Sequence, residues 1–212
     1  MIQEMWDLLQ SRWDFFLELL WEHLLISLVS IAIAIVIGLI TGVLISEFQK
    51  SSKIVMGLVN FIYTIPSISL LGFLIPLSGI GDTTAVIALT VYALLPMVRN
   101  TYTGLTNINP LLLEAATGMG STKWQLLVKI KLPLALPIIL AGIRNMAVMT
   151  IALAGIASFI GAGGLGVAIY RGITTNQKAM TMVGSLLIAV LAIVVDLIIG
   201  RIEKMTQRHK VQ

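Results

Sequence analysis

The chain has 212 residues, 58% of them hydrophobic and only 11% charged, with a formal net charge of +4 and a mean hydropathy of +0.98. That balance excludes an ordinary water-soluble domain, in which about a quarter of residues are charged, and the lack of cysteine excludes a disulfide framework or thiolate metal site. The basic residues flank apolar runs instead of forming a dense stripe with interleaved aromatics, so the positive charge reads as membrane topology and nucleic acid is not an expected partner.

Residues 1–22 read as an N-terminal amphipathic helix, with Met5, Trp6, Leu9, Trp13, Phe16, Leu17 and Leu20 recurring at spacings of three and four. Trp6, Trp13 and Trp21 fall in this stretch, which suits a helix lying at the headgroup level or one packed against a bundle. No cleavable signal is expected, because the first apolar run begins near Leu24 behind acidic residues. Five apolar segments follow, near residues 24–46, 54–77, 84–105, 134–158 and 180–200, each matching the roughly 20 residues of a helical span. The expected fold is therefore all-α: a polytopic membrane bundle of about five helices filling residues 23–200, with a tail at 201–212. Lys and Arg gather at residues 47–53, 99–133 and the tail. Arg12, Arg171 and Lys178 fall on the other side, and Arg144 falls inside the fourth segment. This bias predicts an outside N-terminus and a cytoplasmic C-terminus.

Pro66 and Pro76 in the second segment and Pro96 in the third are expected to kink or break their helices. Beside Pro66, Asn60, Tyr63, Thr64 and Ser67 recur at i, i+3, i+4, i+7, a polar row that suits either the lining of a pathway or hydrogen bonding between helices.

Residues 106–133 form a connection too long and polar for a minimal turn. Asn109 suits an N-cap and Pro110 the first helical position, so a short helix through Glu114, Ala115 and Ala116 should end near Gly118 or Gly120. Thr122 and Gln125 have capping-box spacing, which predicts a second short helix stopping at Pro133. The small surface of Ala115, Ala116 and Gly120 would let a partner's backbone approach closely.

In the fourth segment Arg144 is a candidate gate residue, since charge in lipid is costly and must face protein or water; Asp196 and Arg201 near the end of the fifth read as structural. Gly161, Gly163 and Gly166 fit G-x-G-x-x-G, but without the strand-turn-helix context the nucleotide reading fails, leaving a flexible external loop or a short re-entrant segment. Gly120-Ser121-Thr122-Lys123 likewise lacks the earlier glycine of a phosphate loop. His23 and His209 are far apart, and each reads as a surface histidine near a membrane boundary, not a ligand.

Glu114-Ala115-Ala116, three residues, Gly120, nine residues and then Ile130-Lys131-Leu132-Pro133 resembles the EAA loop of binding-protein-dependent ABC transporter permeases. YTIPSISLLG at 63–72, LPMVRNTYTG at 95–104 and IGAGGLG at 160–166 are similar to the osmoprotectant branch of that family. The resemblance implies a type I importer permease that serves glycine betaine, carnitine or choline. It makes the first short helix of the connection a cytoplasmic coupling helix, with Glu114, Ala115, Ala116 and Gly120 as its ATPase-coupling residues. It further implies two ATP-binding cassette ATPase subunits, a second permease subunit, identical or homologous, and a separate extracytoplasmic binding protein. The chain itself is then not an enzyme and holds no cofactor, ATP and Mg2+ residing on the ATPases. Two other readings stay open: an amino-acid importer, for example for methionine, and an autonomous secondary carrier.

Overall fold

A computed structural model of the chain describes residues 1–208, and no strand occurs among them. His209 and Lys210 lie outside the described residues. In lipid every backbone N–H and C=O must find a partner within the protein, and helices meet that demand segment by segment.

Helix α1 (Ile2–Ser11) is separated from α2 (Trp13–Glu47) only by Arg12, whose φ of −128° and ψ of 35° leave the helical region. The amphipathic stretch expected at 1–22 is thus two pieces, the second continuous with the first span. Met5, Leu8 and Leu9 of α1 pack on a core that includes Phe16, Leu165, Met180 and Val183. Trp6, Trp13 and Trp21 remain exposed.

The second span is broken. Helix α3 (Gln49–Thr64) and α4 (Ser67–Ser78) meet at an angle of 99°. The break follows from Pro66, which pushes Ile65 into extended backbone, at ψ 127°. Pro76 in α4 and Pro96 in α5 (Asp82–Thr106), expected to disrupt their helices, instead stay within them. Beyond α5 come α6 (Pro110–Gly118) and α7 (Lys123–Gln125), then a π-helical turn over Leu126–Lys131 that runs straight into α8 (Leu132–Ala157). The stop expected at Pro133 is absent. In the wide turn Leu132 N–H reaches back to Leu127 O, a five-residue step that shifts the bonding register just ahead of a residue with no N–H to give. A 3-10 turn (Ser158–Ile160), α9 (Gly166–Thr174) and α10 (Lys178–Arg208) complete the chain.

Four of these helical rods are long and apolar enough to cross a membrane, and the bent α3–α4 pair, taken as one broken span, brings the number to five. Side-chain and backbone bonds order them. Glu22 and Asp82 meet the Gly163–Gly164 loop at one end, whereas Glu47 meets Lys131 at the other. Helices α2 and α5 therefore run parallel, with α8 antiparallel to both. Contact between α2 and α5 is close because Gly38 and Gly42 face Met97 and Thr101: a Cβ at Gly38 would come within 2.5 Å of Met97 Cγ, and one at Gly42 within 2.5 Å of Thr101 Cβ. Small residues at i and i+4 are how membrane helices gain contact area without a hydrophobic driving force between them.

Candidate functional site

The connection between α5 and α8 is built by local rules. Asn109 Oδ1 accepts from Leu111 N–H at 3.0 Å and so caps α6, with Pro110 at its first position. At the other end Gly120 N–H bonds to Thr117 O and Ser121 N–H to Ala116 O. These two bonds form a Schellman closure, which places Gly120 at φ +86°, a conformation that costs glycine nothing and an L side chain about 1 kcal/mol. Thr122 and Gln125 then exchange bonds, Gln125 N–H to Thr122 Oγ1 at 3.3 Å and Thr122 N–H to Gln125 Oε1 at 2.9 Å, the capping box expected from their spacing.

The result is a short helix with two faces. Ala116 is buried on the side of α6 that meets the π-helical turn, whereas Glu114, Ala115, Leu111, Leu112 and Met119 are exposed. An exposed apolar surface of this kind, around one carboxylate, is what a protein partner or a membrane surface covers. An ion pair of 2.7 Å between Lys131 and Glu47 fixes the foot of the segment to the end of α2.

Three of the four residues in the polar row share α3, and the structure separates them from the fourth. Ser67 opens α4 beyond the 99° bend, so it no longer continues the face of Asn60 and Tyr63. Thr64 bonds back to Phe61 O at 2.7 Å. Asn60 Oδ1 accepts from Arg99 Nη2 at 2.9 Å. Tyr63 stands edge-to-face with Tyr92, centroids 5.9 Å apart, and its hydroxyl reaches Met149 Sδ at 3.4 Å. Tyr92 in turn donates to Ile65 O, one of the carbonyls that the break leaves free. Sequence reasoning missed the residues opposite the row. Tyr63, Arg99, Asn100, Asn145 and Met149 line a cavity of about 240 Å³ between α3, α5 and α8. Arg99, grouped by the sequence with the basic residues flanking the spans, instead stands seven residues inside α5, and that position is the usable signal.

Arg144 is held by α10: Nε and Nη2 donate to Asp196 Oδ1 and Oδ2 at 2.6 and 2.7 Å, and Nη1 lies 3.5 Å from Glu203. The planar fork meets both carboxylate oxygens at once, the geometry in which Arg is strongest.

At the opposite end of the bundle, the glycine-rich stretch is tied down and is no flexible loop. Gly163 N–H donates to Asp82 Oδ1 at 2.8 Å and Gly164 N–H to Glu22 Oε2 at 2.9 Å. His23, expected at the surface, lies beneath Gly164 with no exposure, its Nε2 3.0 Å from Ile151 O. No group of three or more metal-ligating side chains occurs among the described residues.

The family model described as "Binding-protein-dependent transport system inner membrane component" matches residues 34–208. The chain is 41% identical over 183 residues to the carnitine transport permease protein OpuCB of Listeria monocytogenes, covering 86% of this chain and 84% of that protein. It is 38% identical over 203 residues to the glycine betaine/carnitine/choline transport system permease protein OpuCB of Bacillus subtilis, covering 96% and 94%. Among solved structures, an inward-facing form of the MetNI methionine ABC transporter matches with a TM-score of 0.84 at 28% identity, over 90% of this chain and 95% of that one.

Proposed function

This chain belongs to the family of binding-protein-dependent transport system inner membrane components, and we propose that, as a permease subunit of an ABC importer, it conducts small quaternary ammonium osmoprotectants such as glycine betaine, carnitine or choline. The observation that carries the cargo is the identity of 38–41%, over most of both chains, with permeases named for those solutes. The likeness to a methionine transporter is a likeness of fold at 28% identity, so the amino-acid reading is second. Family membership also favours an importer subunit over an autonomous carrier.

In this reading α6 is the coupling helix. Glu114, Ala115 and the exposed leucines of its first turn seat in a groove of a separate ATPase, while Gly120 fixes where the helix ends. Two ATPases and a second permease subunit complete the membrane assembly, and a separate extracytoplasmic binding protein delivers the solute. ATP and Mg2+ act on the ATPases, so this chain performs no chemistry of its own. The basic residues near α6 and at the end of α10 favour a cytoplasmic C-terminus, with the Gly163–Gly164 end outside and Trp6 of α1 and Trp13 and Trp21 of α2 at the interface. Arg144 enters as a gate element, through the contact it makes between α8 and α10.

The test is ATP-dependent uptake by the chain co-expressed with its neighbouring ATPase and binding protein. Accumulation of labelled glycine betaine or carnitine, abolished when ATP hydrolysis is blocked, is the expected result. Uptake of methionine alone would transfer the cargo to the second reading, and uptake by the purified chain without ATP would sink both.

A further inference from the structure

Arg99 and Arg144 both lie inside membrane-crossing helices, as does Arg201 in the last turns of α10, and the surroundings of the first two differ. Arg144 is matched by Asp196 and Glu203. Arg99 has no carboxylate partner among the described residues; its one side-chain bond is to the neutral amide of Asn60. It stands seven residues before the end of α5, about 10 Å of helix, and is exposed to the cavity bordered by Tyr63, Asn100, Asn145 and Met149. An intramembrane cation left without an anion faces water or a ligand, because lipid would penalise it heavily.

Across the cavity Tyr63 is exposed, but its ring is held in place on one side by Tyr92 and at its hydroxyl by Met149. It also belongs to the last turn of α3, whose terminal carbonyls form the negative end of a helix dipole at mid-span. A quaternary ammonium group has no N–H to donate, so an aromatic face backed by carbonyl dipoles is the environment that attracts it. The cavity therefore has opposite polarities on its two walls, cationic at α5 and electron-rich at α3.

We propose that this cavity between α3, α5 and α8 is a transit site for zwitterions, in which Arg99 meets the carboxylate and Tyr63 the quaternary ammonium of the same solute. The site deepens the cargo assignment above and rests on it. At about 240 Å³ it is smaller than the roughly 300–1,000 Å³ of pockets for drug-sized ligands, in keeping with a solute as small as glycine betaine. Asn60 positions the Arg99 guanidinium, and Asn145, exposed on α8, offers an amide to the carboxylate.

The experiment uses proteoliposomes holding the complete importer and compares uptake of glycine betaine, a zwitterion, with that of choline, which has no carboxylate. Arg99→Gln is expected to lower betaine uptake roughly 10- to 100-fold, the loss of one charge-assisted contact, with choline changed far less. Arg99→Lys keeps the charge and restores a large part of the betaine uptake. Tyr63→Leu lowers both solutes, and Tyr63→Phe neither. Betaine uptake by Arg99→Gln within about threefold of wild type overturns the site. So does an equal loss of both solutes that Arg99→Lys fails to restore, since a structural role would produce it. If the wild type carries betaine but not choline, the contrast between Gln and Lys decides alone. If the wild type carries neither, the cargo assignment falls and the transit site with it; a wild type that works beside an indifferent Arg99→Gln removes the site only.

Discussion

Lys131 Nζ stands 2.7 Å from Glu47 Oε1, so the end of the first span is fastened to the point where the projecting segment rejoins the bundle. Glu47 is more than a third exposed, and solvent weakens such pairs. Glu47→Gln and Lys131→Met in a double-mutant cycle should give a coupling of about 0.2–1 kcal/mol by thermal unfolding in detergent. A coupling several times larger would mean the pair is shielded in the assembled complex.

Gly118 and Gly120 sit two residues apart and should respond oppositely to alanine. Gly120 holds φ +86° with open space around it, so Gly120→Ala strains the backbone and should cost about 1 kcal/mol and weaken uptake. Gly118 is helical and equally uncrowded, so Gly118→Ala should be neutral or stabilise by up to ~1 kcal/mol. Melting curves of the two purified variants check the contrast.

Ala115 and Ala116 separate the helix's own seat from its partner face. Ala116→Leu must force a buried site open and should destabilise the chain by about 1–3 kcal/mol. Ala115→Trp, at an exposed position, should leave the melting temperature unchanged yet abolish co-purification of the ATPase. Retention of the ATPase by Ala115→Trp would show that the opposite face of α6 makes the contact.

At Gly42, a side chain would collide with Thr101, with Cβ atoms 2.5 Å apart. Gly42→Val should therefore separate α2 from α5 and destabilise by at least about 1–3 kcal/mol. A companion Thr101→Gly substitution should recover part of the loss, read by the same unfolding assay.

Asp196→Asn should harm the fold more than replacing all three charges as Arg144→Met, Asp196→Leu and Glu203→Gln, because the single change leaves Arg144 only its 3.5 Å contact to Glu203 while the triple change leaves no charge to solvate. Expression level and thermal inactivation of the two variants give the order; the reverse order would mean that Glu203 suffices to hold Arg144.

Much of this was legible in the residues because local rules decide it. The break at Pro66, the cap at Asn109 and the box at Thr122 and Gln125 each depend on neighbours within a few positions. What stayed hidden depends on distant ones. Nothing near Gly164 announces that Glu22, 142 residues away in sequence, will accept its N–H. Nothing near His23 reveals that Ile151 supplies its partner and removes it from the surface. Helical periodicity groups Ser67 with Asn60 only if the helix is straight, and the 99° bend turns Ser67 away. Pro133 is a stop only under α-helical bonding, which the wide turn before it relaxes. Helix α9 escaped notice since glycines at both its ends resemble loop composition.

The wide turn at Leu126–Lys131 has one more consequence. It makes the stretch from Lys123 to Ala157 a single unbroken shaft with one surplus residue in its winding. In an ordinary helix each residue adds about 100° of rotation and 1.5 Å of rise. Deleting any one of those six residues should therefore let the shaft rewind as plain α-helix with α6 still facing the same way about the axis of α8, because six residues in the wide turn cover about the rotation of five in an α-helix. A residue deleted from the regular part of α8 has no such slack to draw on and would turn α6 by about 100° away from its docking direction.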